Sequence, residues 1–160
     1  MFSVFTGLAY KDAITLKGSN REERGDNVIK LCIKRSKTDI QTESFLVSQA
    51  ITIVERYKQL AESQITGLVL PKRSNEKLNV QLKILAEMVN IPINLSSHIA
   101  RHTHRQQLAE AGIEDMGVIK RMMGHSRSGD IDNVYYSITE PRLSEAKDKF
   151  EAYLNKHLIK

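Results

Sequence analysis

The chain has 160 residues, 41% hydrophobic and 27% charged, the size and balance of one compact unit and far from the low-hydrophobicity, high-charge range of disordered chains. No run approaches the roughly 18–20 apolar residues that cross a bilayer, and the single cysteine, Cys32, excludes an intramolecular disulfide framework and a multi-cysteine zinc site and suits a reducing, cytoplasmic setting. Twenty-four Lys and Arg against nineteen Asp and Glu give a net charge of +5 and a pI near 9.3, an excess that permits a polyanionic partner without demanding one.

No basic segment followed by a long apolar run and a small-residue cleavage site opens the chain, so no secretory signal is read there. Met1-Phe2-Ser3-Val4-Phe5 is apolar from the first residue, where chain ends are commonly polar and frayed, and this predicts a fragment of a longer protein. Phe2, Phe5, Leu8, Ala9, Asp12, Ala13 and Leu16 recur at spacings of three and four, which predicts a helix over 2–17 with Thr6-Gly7 as a break near its start. Gly18-Ser19-Asn20 ends that pattern, and Arg21 to Asp26 reads as a charged loop. Val28, Leu31, Ile33 and then Ile40, Phe45, Val47 mark two β-rich runs, a hairpin whose turn at Arg35-Ser36-Lys37-Thr38-Asp39 carries Lys37 at or near its tip. Ser48 is the expected cap of a helix over 49–63, with Ile51, Val54, Tyr57, Leu60 and Ala61 as its stripe. Asn75 is the expected cap of a helix to about Val89, ending before Ile91-Pro92, where the residue preceding proline disfavours helical geometry. Ser96 or Ser97 caps a helix over 97–111 that Gly112 stops, and Glu114 opens a short helix to Met123 that Gly124 stops. A last helix starts around Pro141, with Leu143, Ala146, Phe150, Tyr153 and Leu154 as its apolar face. The fold class is mainly α with a small antiparallel β-hairpin (α+β), and Cys32 reads as a small core residue.

The densest chemical cluster is His98-Ile99-Ala100-Arg101-His102-Thr103-His104-Arg105, in which 98, 101, 102 and 105 fall at helical offsets of 0, 3, 4 and 7. Like charges on one face repel, so the arrangement asks for an anion, and an arginine fork presents the planar donors that phosphate oxygens accept. The plainer reading is a solvated basic face with one or two histidines against the core. A zinc reading also exists, since His98 and His102 have the spacing of paired helical ligands, but Ile99 stands where H-E-x-x-H has its glutamate. His125 follows a helix stop, from which an imidazole can reach a pocket. Tyr135-Tyr136 offers phenols that become nucleophiles beside cations, or two buried aromatics. Lys37, on its turn, can serve as a movable ammonium acid or be a solvated lysine.

Together, in order and spacing, these residues resemble the catalytic domain of the tyrosine recombinase (phage integrase) family over nearly the whole chain. Phe5-Thr6-Gly7-Leu8-Ala9-Tyr10-Lys11-Asp12 resembles the family's first box, Arg35-Ser36-Lys37-Thr38 its lysine hairpin, His98-Ile99-Ala100-Arg101-His102-Thr103 its H-x-x-R-H segment and Gly124-His125-Ser126 its second-histidine box. The boxes are most similar to those of integrases from Bacteroides-type conjugative transposons and related mobile elements, whose tyrosine segment often reads Y-A-K-I-T. Here it is Tyr135-Tyr136-Ser137-Ile138-Thr139, a register that favours Tyr135 over Tyr136 as nucleophile. The segment between His125 and Tyr135 is one residue longer than the family's usual spacing, and Arg127-Ser128-Gly129-Asp130 can absorb the difference. One departure is serious: the family's first catalytic arginine falls on Ala9, which leaves the nearby Asp12 without its usual partner. Arg21, Arg24 or an arginine from outside the chain are the candidate replacements, and an inactive remnant is the alternative.

The resemblance implies a DNA-breaking and rejoining fold over 1–160, the C-terminal catalytic domain of a protein that also has an N-terminal DNA-clamping domain. It implies attack of Tyr135 on a DNA phosphate, a 3′-phosphotyrosyl link and a free 5′-hydroxyl. Arg101, His98 and His125 would meet the phosphoryl charge, and Lys37 would protonate the leaving oxygen. Arg35, His102, Arg105, Arg21 and Arg24 are the expected DNA contacts. No metal or other cofactor is expected. The expected partners are double-stranded attachment-site DNA and three further copies of the chain on it, the isolated domain being a possible monomer, with no membrane involved. An inactive DNA-binding remnant, a zinc hydrolase and a type IB topoisomerase are the alternatives.

Overall fold

The computed structural model describes residues 1–25, 28–37, 39–124 and 138–157, and of 61–63 the backbone only. The first stripe does not form one helix but two, α1 (Phe2–Thr6) and α2 (Tyr10–Ile14). Gly7, at φ +66°, closes α1 by donating its N–H to Ser3 O at 3.0 Å. That left-handed conformation is open to glycine without a Cβ penalty, and it turns the chain before α2 starts.

After a 3₁₀ turn at Gly18–Asn20 comes a three-stranded antiparallel sheet in the order β1 (Arg21–Glu23), β2 (Ile29–Lys34), β3 (Gln41–Phe45). The charged loop expected from Arg21 onward is therefore partly a strand. Arg21, Glu22 and Glu23 pair with Leu31, Lys30 and Ile29. An edge strand of three charged residues carries no apolar alternation, so only the ladder to β2 reveals it. The expected hairpin is β2–β3, with Ile33 opposite Thr42 and Lys30 opposite Phe45. Ile29, Leu31 and Ile33 face the core, as the two-residue period dictates. Cys32 is on the other face and only half-buried, so it is not the core residue expected.

The helices follow the predicted order, with shifted ends. Ser48 is the first residue of α3 (Ser48–Lys58) rather than its cap, because Glu151 takes its N–H at 2.8 Å. The expected helix over 49–63 breaks at Gln59-Leu60, and α4 (Ala61–Thr66) follows; Leu60 is exposed, so the buried stripe has already ended. Ser74, not Asn75, caps α5 (Asn75–Met88), accepting from Lys77 N at 3.2 Å. Asn75 and Asn79 instead fix the start of α6 (Ser97–Glu110): Asn79 Oδ1 accepts from Ser97 N at 2.9 Å and Asn75 Oδ1 from Ser97 Oγ at 3.0 Å. Asp115, not Glu114, caps α7 (Met116–Met123), its carboxylate accepting from Gly117 N and Val118 N. Gly124, at φ +60°, ends that helix.

The last helix, α8 (Glu140–His157), folds back on its own core: Leu143, Phe150 and Leu154 are fully buried with Leu16, Leu31, Leu46, Leu108 and Ile119. Its first residue, Glu140, is held by buried Lys30 of β2 and by Arg24 at 3.3 Å. Glu43 of β3 pairs with the same Lys30 at 3.6 Å and with Arg121 of α7 at 2.9 Å. A buried ammonium needs paired carboxylates of this kind, and here they tie α7 and α8 to one sheet. Among the described residues no helix is long and apolar enough to cross a membrane.

Candidate active site

Helix α6 carries the basic octet, and its geometry divides the four residues expected on one face. At 100° per residue, His98 and His102 point away from the inward direction of His104 and Leu108, with Arg101 on the border between them. His98 and His102 are exposed and stacked edge to face, ring centroids 4.5 Å apart. Arg105 is half-exposed, its Nη2 3.4 Å from Met116 Sδ. Arg101 is buried, 8% exposed, and its fork spans two chain turns, Nη1 donating to Gly7 O and Nη2 to Met123 O. Among the described residues no three His, Cys, Asp or Glu gather as metal ligands.

Both turns are glycine-dependent. A Cβ on Gly7 would fall 2.5 Å from His104 Cδ2, and one on Gly124 would fall 2.0 Å from Thr42 Oγ1 and 2.3 Å from Arg35 Cδ. Without a Cβ, Gly7 leaves room for the His104 ring, and Gly124 for the Thr42 and Arg35 side chains. Under Gly7 lies His104, fully buried, its Nδ1 2.9 Å from Val4 O and its ring edge-on to Phe150 at 5.1 Å. The neutral ring donates to that carbonyl. Burial, with some help from the Arg101 charge, pushes the His104 pKa down to about 4 against the Val4 hydrogen bond. This is the histidine that the sequence could only assign to an unspecified place against the core.

The second cluster sits beside Arg101. Asp12 of α2 is 3% exposed; its Oδ2 accepts from Arg35 Nε at 3.1 Å, and its Oδ1 accepts from Ser36 N at 3.1 Å and Ser36 Oγ at 2.9 Å. The acid expected to lack a partner is thus fully engaged, and it anchors the root of the β2–β3 turn. Arg35 Nη1 also donates to Gly124 O at 2.8 Å. Burial first, then the neighbouring Arg35 charge, lowers the Arg101 pKa to about 10, with Asp12 opposing. Lys37, two residues beyond Arg35, is exposed on the turn, as the hairpin spacing predicted.

Two expected contacts lie elsewhere. Arg24 is paired with Glu22 at 2.7 Å and with Glu140. Arg21 lines a separate cavity of about 250 Å³ with Val54, Lys58 and Gln64, its Nη1 3.9 Å from Glu55. Neither is brought to Arg101 by any described contact. His125, Tyr135 and Tyr136 lie outside the described residues, as does Thr38. Sequence reasoning missed the Asp12–Arg35 pair, although Asp12 stood in an apolar stripe, where a carboxylate demands a cation.

The residues give one buried arginine fork, a second guanidinium beside it, two exposed imidazoles on the same helix and a lysine two positions beyond Arg35, donor types suited to phosphate oxygens. The model of the phage integrase family matches residues 1–142. The integrase of Staphylococcus phage L54a is 28% identical over 149 residues, which covers 91% of this chain and 38% of that protein. The XerH site-specific recombinase bound to difH substrate superposes with a TM-score of 0.61 at 19% identity, over 90% of this chain and 43% of that one. The Tn1549 transposon integrase in complex with circular intermediate DNA gives 0.57 at 16% identity, over 90% of this chain and 54% of that one. The chain therefore spans well under half of the phage integrase it matches.

Proposed function

We propose that this chain, which belongs to the phage integrase family, cleaves and rejoins DNA at the attachment sites of a mobile element through a 3′-phosphotyrosyl intermediate. The observation that carries this reading is Arg101, clamped between the Gly7 and Met123 carbonyls, with His98 exposed on its helix and Lys37 on the adjoining hairpin. A guanidinium fixed in advance at that point costs no reorganisation when a phosphate's charge develops before it.

In this reading the Tyr135 oxygen forms a bond to phosphorus as the 5′-oxygen leaves. Lys37 gives that oxygen its proton, and Arg101, His98 and His125 meet the charge on the non-bridging oxygens. The phosphodiester bond energy is retained in the tyrosyl link, so rejoining by a partner 5′-hydroxyl needs no ATP. His102, Arg105 and Arg35 contribute phosphate contacts, whose affinity falls steeply with salt. We assign the chain to the catalytic domain and place it with the conjugative-transposon integrases on the likeness of its boxes. DNA is present in the XerH and Tn1549 integrase complexes and is the partner here, with four copies of the chain expected on two duplexes.

Ala9 favours a second reading, a DNA-binding remnant without catalysis. A nicked suicide duplex carrying the element's end sequence separates the two. A Tyr135-dependent protein–DNA band on a denaturing gel, lost in Tyr135→Phe with binding intact, supports the recombinase. Binding without any such band supports the remnant.

A further inference from the structure

Arg21 opens β1 directly opposite Leu31 of β2. Residues paired across a ladder share a face, so its side chain lies on the inward side of the sheet, only 14% exposed. There it lines the cavity of about 250 Å³ whose walls include buried Val54 and Val69 and half-buried Leu68. The rim is pinned by backbone, Gly18 N donating to Gly67 O at 3.2 Å and Val69 N to Leu16 O at 2.8 Å. A Cβ on Gly18 or Gly67 would meet no atom within 4 Å, so the rim leaves the mouth clear. The guanidinium is poorly served by these surroundings. Its Nε and Nη1 are buried without a hydrogen-bond partner among the described residues, and its ion-pair partner Glu55 stands 3.9 Å from Nη1, beyond hydrogen-bond length. Glu55 also holds Lys58, a second residue of the cavity lining, at 3.3 Å through its other oxygen. Two cations thus share one carboxylate, an excess of one positive charge beside an apolar wall. Buried donors without an acceptor cost free energy that an arriving anion recovers.

We propose that this cavity is a binding site for a small organic anion, an acidic head held by Arg21 and Lys58 on a short apolar body lying against Val54, Leu68 and Val69. The volume falls just below the roughly 300–1,000 Å³ of sites for drug-sized ligands, which limits the body to a few carbons. The head is a carboxylate or a phosphate, the two groups whose oxygens match a guanidinium fork. Concavity favours such a ligand over the backbone of a duplex, whose phosphates stand on a convex ridge and are met by side chains that project. No described contact brings Arg21 to Arg101, and the site stands apart from the recombinase reading.

The test titrates the isotopically labelled full chain with hexanoate, hexanamide and inorganic phosphate in a chloride buffer, following by two-dimensional NMR the amide signals of Gly18 and Gly67 and the side-chain Nε–H signal of Arg21. Hexanoate is expected to shift the three signals together and saturably. Hexanamide, with the same body and no charge, is expected to bind about 10-fold or more weaker, the usual worth of a hydrogen bond to a charged group. Inorganic phosphate is expected to bind more weakly than hexanoate, because it leaves the apolar wall uncovered. Arg21→Gln is expected to lose hexanoate binding by about 10-fold or more. Lys58→Gln changes a mostly exposed side chain, leaves the fold intact and is expected to weaken hexanoate by a smaller factor with the same pattern of shifts. Equal affinity for hexanoate and hexanamide, or no saturable shift of the three signals with hexanoate, would overturn the proposal. Phosphate binding as tightly as hexanoate would mean an adventitious ion only and overturn the organic ligand. Saturable shifts of the same three signals by a short DNA duplex would give Arg21 to the DNA interface and overturn the small-ligand site.

Discussion

His104 makes the stability of this domain depend on pH in a way that can be worked through. The ring is fully buried and its pKa lies at about 4, against about 6.5 in an unfolded chain. Below 6.5 the unfolded chain takes up a proton that the folded ring refuses, so stability is complete above that pH and falls as pH drops through the window to 4. The full difference corresponds to about 3 kcal/mol, most of which is gone by pH 4.5. Against a typical total of roughly 5–15 kcal/mol this is a large share. His104→Asn keeps a donor near Val4 O but does not titrate, so it provides the reference. Urea unfolding of both proteins between pH 7.5 and 4.5 should show the variant less stable at neutral pH, from its lost packing on Phe150 and Gly7, and the gap narrowing by about 2–3 kcal/mol on acidification. Parallel pH profiles would refute the account of His104 as a buried neutral ring.

Other substitutions probe the same construction. Gly7 and Gly112 share a left-handed conformation, at φ +66° and +75°, but only Gly7 meets a side chain within 4 Å. Gly112→Ala should therefore cost about 1–2 kcal/mol from backbone strain alone, and Gly7→Ala a further 1–3 kcal/mol or so from the clash with His104, read by thermal or urea unfolding; equal costs would contradict the close approach. Lys37→Ala should slow cleavage of an ordinary strand by about 100-fold or more while barely affecting a strand with a 5′-bridging sulfur, a leaving group that needs little proton donation; equal losses on the two would remove Lys37 from acid catalysis. DNA binding by Tyr135→Phe should match the unsubstituted chain and weaken steeply between low and physiological salt in a filter-binding or anisotropy assay, because phosphate contacts set affinity; salt-independent binding would contradict an electrostatic interface.

Much of this was legible in the sequence, and the failures have physical reasons. Amphipathic periods located the helices, and the Arg35–Asp39 hairpin turn was read from its polar composition. Helix starts shifted where tertiary partners replaced the local cap, as Glu151 does for Ser48 and Asn79 for Ser97. The strand at Arg21–Glu23 was invisible because all three of its residues are charged and pairing alone makes it β. Motif spacing singles out Arg101 and Lys37 but does not give the direction of either side chain. Offsets of 0, 3, 4 and 7 suggest a common face, yet Arg101 sits at that face's edge and turns inward to two backbone carbonyls that no side-chain pattern encodes. Asp12 falls within an apolar stripe whose spacing names no partner for it; its burial requires a cation, and Arg35, 23 positions away, is the one the fold delivers.

The central claim is a covalent bond between one tyrosine and a DNA phosphate. Its most direct test is to trap the adduct on a nicked duplex, digest the protein and DNA, and locate the residual nucleotide by peptide mass spectrometry. The account predicts a single modified peptide with a 3′-phosphate ester on Tyr135. A nucleotide on Tyr136 would contradict the assigned nucleophile, and unmodified peptides from bound DNA would contradict the recombinase itself.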